Sequence, residues 1–276
     1  MRKEELSFAA DCTMAEGWVS EDQATLEGFY QYDPQGCWLA EEEGYPIGIC
    51  IATSYGSSGF IGELIVRPGA RGRGVGAALL NHAVGGLKSN GAETVYLDGV
   101  IKAVELYERN GFRKICRSLR YIGNLRGKIP SNVRRMTLGD LDQVIELDER
   151  SFGAGRGFFL KRRFELFPEL SFVMLHRNKI AGFILGRGGK DWISAGPWVV
   201  EGPVEHPENL LGAIAQEAGE RPIGIGILES HQRACELVQS LGFTALADSP
   251  WRMVLGNSTQ LGASSRCYAI GSAAKG

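Results

Sequence analysis

The sequence has no apolar run near the 18 or so residues of a membrane-crossing helix. Its opening, Met1-Arg2-Lys3-Glu4-Glu5-Leu6, lacks the apolar core of a secretion signal. The expectation is a soluble, cytoplasmic protein. Paired cysteines are also missing. Cys12, Cys37, Cys50, Cys116, Cys235 and Cys267 are scattered with no C-x-x-C pair, which reads as free thiols in a reduced compartment. The four histidines (His82, His176, His206, His231) are far apart, and no metal-ligand spacing appears, so no metal cofactor is expected. Neither sign of charge dominates: Lys+Arg is 30 against Asp+Glu 32, a net charge of -2. That argues against a nucleic-acid binder working by bulk electrostatics.

What is present is ordinary globular composition, with 44% hydrophobic and 22% charged residues over 276 positions. The length predicts two domains. Glycine is plentiful, at 38 residues, and reads as many turns plus one special loop. In the first half, helices are expected over 6–16 and 21–32. Strands follow at 37–40, 47–54 and 59–66, the first two joined by an acidic hairpin, Glu41-Glu42-Glu43-Gly44. Ala77, Leu80, Ala83, Val84 and Leu87 recur at helical spacing over 75–88. A strand at 93–98, a helix at 102–109 and a last strand near 112–121 complete this half.

Residues 123–131 read as a linker between a first domain at 1–122 and a second at 132–256. The second repeats the order: strand 133–136, helices 138–150 and 156–167, strands 171–176, 180–186 and 192–200. Helix 207–218, strand 222–228, helix 231–240 and a strand at 251–255 follow. The tail, 257–276, is rich in Ser, Gly and Ala and reads as loosely held. The fold class is α/β (α+β), two units each with a twisted mixed sheet flanked by helices. Ala103–Phe112 matches Ala234–Phe243 at five of ten positions, which points to internal duplication.

The most informative stretch runs from the third strand through Arg71-Gly72-Arg73-Gly74-Val75-Gly76-Ala77 into a helix. Glycines let a backbone approach a bulky anion and turn its N–H groups toward it. A helix start adds unpaired N–H groups and the positive end of the dipole. Arg71 and Arg73 add charge at the rim, or else form a solvated edge. A P-loop would need Lys-Ser or Lys-Thr after the glycines, and none follows. A dinucleotide site would need glycines directly after the strand and an acid ending the next one. Asp98 supplies the acid, but Pro68 separates glycines from strand.

This stretch resembles the acyl-CoA signature of the Gcn5-related N-acetyltransferase (GNAT) superfamily, [Q/R]-x-x-G-x-G/A, through Arg71, Gly74 and Gly76 after Val66 and Pro68. Ala103, Tyr107, Gly111 and Phe112 are similar to its second motif. Together the two motifs cover about residues 37–121. Glu16-Gly17-Trp18 and the duplicated half resemble a tandem subfamily whose C-terminal unit is degenerate. Three departures stand out. Val100 replaces a frequent Asn, the strand expected before the first helix is missing or displaced, and Trp198–Pro207 stands where a second glycine loop would be.

The resemblance implies acetyl-CoA as donor, held by Leu64, Ile65 and Val66 and by the loop from Arg71 to Ala77. It implies direct transfer to an amine in a ternary complex. It makes Tyr107 the general acid, against a plain packing aromatic. Glu63, a lone carboxylate in an apolar strand, is a candidate base or amine anchor, against a solvent-facing or Arg-paired residue. Asp98 is a candidate ammonium holder, against a helix N-cap. Trp192, Trp198 and Trp251 read as core rather than as a ligand platform.

The near-neutral charge favours a small amine or amino-acid-like acceptor over a protein amine, with no nucleic-acid or membrane partner. Rival readings are a non-catalytic acyl-CoA-binding module and a nucleotide-binding oxidoreductase.

Overall fold

Residues 1–18, 21–189, 191–257 and 261–276 are described in the computed structural model. Their contacts divide them into two units. The first comprises Met1–Ile115, Trp251–Ser258 and Lys275, the second Cys116–Pro250, Thr259–Ala274 and Gly276.

In the first unit, α1 (Leu6–Ala15) and α2 (Gln23–Tyr32) precede a meander of β1 (Cys37–Glu42), β2 (Tyr45–Tyr55) and β3 (Ser58–Val66). Asp22 starts α2 by accepting a hydrogen bond from the Thr25 N–H at 3.0 Å. The β1–β2 hairpin turns at Glu43 and Gly44, both at positive φ, the twist that suits paired strands. Next come α3 (Val75–Ser89), β4 (Thr94–Gly99) and α4 (Val104–Arg109). β4 runs parallel to β3, and its other edge pairs antiparallel with β12 (Trp251–Leu255), from Trp251 opposite Gly99 to Leu255 opposite Val95.

Side chains alternate across this sheet. Cys50, Ala52, Ile61, Val95, Leu97 and Met253 join one core cluster with Leu79, Leu80, Ala83 and Leu87 of α3. The two-residue period then places Ile51, Thr53, Phe60, Tyr96, Asp98 and Arg252 on the opposite face, against which α1 packs at β2 and β3.

The second unit contains β5 (Arg113–Gly123, counted here from Cys116), β6 (Val133–Arg135), α5 (Leu141–Phe152), α6 (Gly157–Leu166), β7 (Ser171–His176) and β8 (Lys179–Gly188). β9 (Ile193–Val200), α7 (Glu208–Ala218), β10 (Ile223–Leu228), α8 (Gln232–Ser240), β11 (Thr244–Ala245) and β13 (Cys267–Ala269) complete it. The strand order is β5-β10-β9-β8-β7-β6, with β11 on β5 and β13 on β9. Here too a meander leads to one parallel pair, β9 with β10, and then to an antiparallel neighbour.

The duplication read in the sequence is thus physical, down to the helix ends. Gly111 and Gly242 close α4 and α8 at φ 85° and 88°. Behind them, the Phe112 N–H bonds the Tyr107 carbonyl at 3.1 Å and the Phe243 N–H the Val238 carbonyl at 3.0 Å.

Four expectations need correction. The first unit's leading stretch runs to Ile115, not to 122. The strand at 251–255 was expected to close the second domain, yet it belongs to the first unit, while most of β5 belongs to the second. Alternation identifies a strand but not the edge it joins, and neighbours in sequence are neighbours in space only as a tendency. Residues 123–131 are not a free linker. They lie within the second unit, where a Cβ on Gly127 would sit 1.9 Å from the Gly212 carbonyl oxygen of α7. The tail is not loose either, since Cys267, Tyr268 and Ala269 are buried on β9.

Met253 is fully buried in the first unit's core cluster. Met253→Ala should cost about 2–5 kcal/mol and lower amide-exchange protection in β4 while leaving β7 and β8 unchanged. Loss of protection in β7 and β8 instead would return β12 to the second unit.

Candidate functional site

The parallel pairing of β3 with β4 runs only from Ser58 opposite Thr94 to Ile61 opposite Leu97. β3 continues to Val66, whereas β4 stops at Gly99. Where they part, β3 carries a bulge: Ile51 faces Gly62 and Ile49 faces Ile65, so Glu63 and Leu64 stand against Cys50 alone. An extra residue bends and twists the strand that holds it. Glu63 takes up that bend at φ 49°, a left-handed conformation costing a side-chain-bearing residue about 1–2 kcal/mol. Beyond Ile61, the backbone groups of β3 that face away from β2 therefore border an open cleft. Leu64, Ile65 and Val66 lie on this stretch.

The glycine loop stands at the mouth of the cleft. Pro68–Ala70 forms one 3-10 turn, Gly72 and Gly74 follow at φ 75° and 85°, and α3 begins at Val75 with Gly74 as its N-cap. No side chain caps α3. Ala78 is the residue whose N–H closes on the Gly74 carbonyl, at 3.0 Å, so Val75, Gly76 and Ala77 carry the first-turn N–H groups that a helix cannot satisfy itself. A Cβ built at Gly72 or Gly74 meets nothing within 4 Å, and at Gly76 its nearest neighbours are 3.5 and 3.6 Å away. The protein leaves the space above these amides open, and the donor set fits a pyrophosphate.

The two arginines are paired within the protein. Arg71 donates from Nε to the Val66 carbonyl at 2.8 Å and forms an ion pair with Glu16, which also accepts from Lys102 Nζ at 2.5 Å. These cations, Lys102 foremost, hold the Glu16 carboxyl below its ordinary range. Arg73 pairs with Glu42 on the acidic hairpin. Both arginines remain about half exposed. Ion pairs in that setting are weak, and a phosphate can replace the carboxylates.

Tyr107 reaches the cleft from α4. Its ring rests on Gly99 at the end of β4, where a Cβ would lie 2.9 Å from two ring carbons. Burial pushes its hydroxyl well above the ordinary phenol value, and the nearby Cys50 and Glu63 add to the shift, so the proton stays on oxygen through neutral pH. The ring also packs edge-on to Phe112, with centroids 6.1 Å apart. Both the packing and the acid readings of this residue are therefore compatible with its place.

Glu63 is neither solvent-facing nor, among the described residues, bound to an arginine. It is buried, and its Oε2 has no hydrogen-bond partner. Burial raises its carboxyl well above 4.5, Glu21 raises it further, and the Lys275 ammonium opposes them. Lys275 lies 4.5 Å above the Phe29 ring of α2. Asp98 is not a helix cap; the following 3-10 turn is preceded by Val100. Its buried carboxylate binds Arg252 Nε at 2.5 Å. An acid expected to meet the substrate thus holds a neighbouring guanidinium.

Glu21, Lys275 and Arg252 were missed from sequence. For Arg252 the signal existed: one charge in an apolar strand, as for Glu63, on a strand assigned to the wrong unit. Trp198 is fully buried against Tyr268, centroids 4.9 Å apart, and is a core residue, whereas Trp192, which covers Gly224, is only half-buried. Among the described residues no group of three or more His, Cys, Asp or Glu is placed to hold a metal ion.

The second unit meets the same opening differently. β9 and β10 pair only from Ile193 opposite Ile223 to Ala195 opposite Ile225. Past that point β13 pairs with β9, and the Ile270 N–H bonds the Gly226 carbonyl of β10 at 2.9 Å. The Val200 N–H also bonds the Arg266 carbonyl at 2.9 Å. The chain fills its own gap there, and Val238 stands at the position of Tyr107.

Comparison with known proteins finds two family matches. Residues 4–112 match the acetyltransferase (GNAT) family and residues 144–269 an acetyltransferase (GNAT) domain. The chain is 27% identical over 216 residues to the holothin acyltransferase of Pseudoalteromonas sp., covering 77% of this chain and 72% of that one. It is 34% identical over 109 residues to the mycothiol acetyltransferase of Beutenbergia cavernae, a match that spans only 37% of this chain and 36% of the relative. A crystal structure from Pyrococcus horikoshii, provisionally assigned as an acetyltransferase, superposes with a TM-score of 0.83 at 23% identity, over 100% of this chain and 94% of its own. That likeness concerns the fold.

The raised carboxyl of Glu63 has a consequence for stability. Between the unfolded value near 4.3 and the higher folded one, the folded state holds a proton that the unfolded state lacks. The group's contribution is complete below the unfolded value and is lost as pH rises through the folded one. Glu63→Gln removes that loss, so the variant's advantage over the wild type in urea unfolding should widen from about pH 4 upward. A difference that stays flat from about pH 4 to 8 contradicts the burial-driven shift.

Proposed function

This chain belongs to the GNAT acetyltransferase family, with two of its domains in tandem, and on that premise we propose that the first unit transfers an acetyl group from acetyl-CoA directly to a primary amine. The observation that carries the reading is the open cleft between β3 and β4, with uncapped amides at one end and Tyr107 and Glu63 beside it.

The N–H groups from Gly72 to Ala77 hold the pyrophosphate, and Arg71 and Arg73 exchange their carboxylate partners for phosphate oxygens. The free edge of β3 over Gly62–Val66 accepts the pantetheine arm as a further strand would be accepted. Its N–H groups also polarise the thioester carbonyl.

An alkylammonium near pKa 10.4 is almost wholly protonated at pH 7, so the acceptor must lose a proton before it attacks. Glu63 takes that proton. Its raised carboxyl brings it nearer the working pH, where a base is most effective. The amine nitrogen then bonds the carbonyl carbon and the carbon–sulfur bond breaks. Tyr107 gives its hydroxyl proton to the departing sulfur, the acylated nitrogen releases its remaining surplus proton to solvent, and the tyrosine recovers one from solvent. No acyl group rests on the protein. The relatives above are named for different molecules, so the acceptor must be sought in this chain's own residues.

Tyr107→Phe should lower kcat roughly 10²–10⁴-fold, the range for a lost general acid, while the Kd for acetyl-CoA stays within about twofold. A thiol-release assay against a panel of amines, with calorimetry for acetyl-CoA, measures both. Unchanged turnover would remove Tyr107 from the chemistry. Gly74→Val should act oppositely, weakening acetyl-CoA binding by at least tenfold, because a branched side chain strains the left-handed turn and crowds the amides. Binding unaltered by Gly74→Val contradicts the phosphate cradle.

A further inference from the structure

Arg252 stands in an otherwise apolar strand, Trp251-Arg252-Met253-Val254-Leu255, and its side chain is 2% exposed. Its Nε is bound to Asp98 of β4 at 2.5 Å, and its guanidinium carbon lies 5.0 Å from the centre of the Phe60 ring of β3. β4 separates β12 from β3, a distance of about 9.6 Å at two strand spacings. The side chain therefore lies across β4 and carries its terminal nitrogens toward β3. Both terminal nitrogens, Nη1 and Nη2, are buried without a hydrogen-bond partner. Leaving four N–H donors of a permanent cation unmet is costly. A planar fork held by its Nε edge, with both Nη groups open, matches a planar oxyanion.

The same face of the sheet carries other unmet polar atoms. Thr53 Oγ1, Tyr96 Oη and Glu63 Oε2 are each buried without a partner. Thr53 lies opposite Phe60, Phe60 opposite Tyr96, and Asp98 opposite Arg252. Three strands, β2, β4 and β12, thus bring unsatisfied groups to one face, which a polar ligand would satisfy and an apolar core would not, and β3 carries a further unmet oxygen at the Glu63 bulge. Gly62, just before Glu63, adds no side chain to it.

We propose that Arg252 is the acceptor-recognition residue of the first unit, binding a carboxylate carried by the amine, so that the substrates are amines of the amino-acid kind. This rests on the acyl-transfer reading above and adds the acceptor's second group. Asp98 positions the fork, Phe60 supports its face, and Glu63 meets the amine nitrogen on the same side of the sheet. The tyrosine and threonine hydroxyls complete the polar contacts.

The test measures Kd by calorimetry on the CoA-loaded full chain. The probes are N-acetyl amino acids, including glycine, β-alanine and γ-aminobutyrate derivatives, each paired with the N-acetyl amine that lacks its carboxylate. At least one carboxylate member should bind tenfold or more tightly than its neutral partner. Arg252→Gln should abolish that preference, leaving the neutral partner's Kd and the CoA affinity within about twofold. Arg252→Lys, which keeps charge but not the fork, should keep part of it. No carboxylate preference in any pair, or an equal loss for both members in a variant that still binds CoA, overturns the proposal. Failure of the wild type to bind CoA strikes the acyl-transfer reading itself and this inference with it, so the two failures are distinguishable.

Discussion

Beyond Ile61, one edge of β3 pairs with no strand among the described residues. Backbone N–H and C=O groups set inside a protein need partners, and an unpaired strand edge is a template for whatever extended chain can lie along it. The bulge at Glu63 creates this situation by turning β3 away from β4. Everything assigned to the first unit follows from it. The glycine loop stands where the strands part, Tyr107 leans on the last residue of β4, and Glu63 is carried into the bend itself. The second unit shows the alternative outcome of the same constraint. Its own residues near Cys267–Ile270 lie along β9 and bond to β10, so its opening is satisfied from within and no glycine loop is retained.

The first unit's other face carries the price of specificity. Glu63, Asp98 and Arg252 are buried charges or potential charges, and unpaired burial is unfavourable. Asp98 and Arg252 relieve each other in part, and burial raises the Glu63 carboxyl toward the pH at which a base works. What remains unmet is directional: two terminal amino groups and two hydroxyls on one face, and a carboxyl oxygen at the bulge of β3. β12 is the element that supplies the cation, and it comes from a distant part of the sequence. The strand that seals the edge of β4 is therefore also the strand that shapes what the sheet can recognise.

Much of this was legible in the sequence. Strand alternation, helical spacing and the Gly stops gave nearly every element, and the run from Arg71 to Ala77 located the cleft because glycine spacing reports backbone conformation directly. The duplication was visible at Ala103–Phe112 and Ala234–Phe243 because both helix ends use one glycine closure. What the sequence hid was pairing. An apolar strand such as Trp251–Leu255 carries no mark of the edge it will join, so Arg252 went unused and Asp98 was read as free to meet substrate. The short β13 was hidden for a related reason: a Ser/Gly/Ala-rich tail has no pattern of its own, and its order comes from the gap it fills. Ion pairs between distant residues, such as Arg71 with Glu16 or Arg73 with Glu42, were equally out of reach.

The central claim is that the opening of the first unit, and not that of the second, takes the acyl donor along β3. Backbone amide resonances followed during an acetyl-CoA titration test it most directly. The account predicts that Gly62–Val66 and Gly72–Ala77 shift together with one dissociation constant while residues 193–200 stay in place. Shifts confined to residues 193–200, or none in β3, would contradict it.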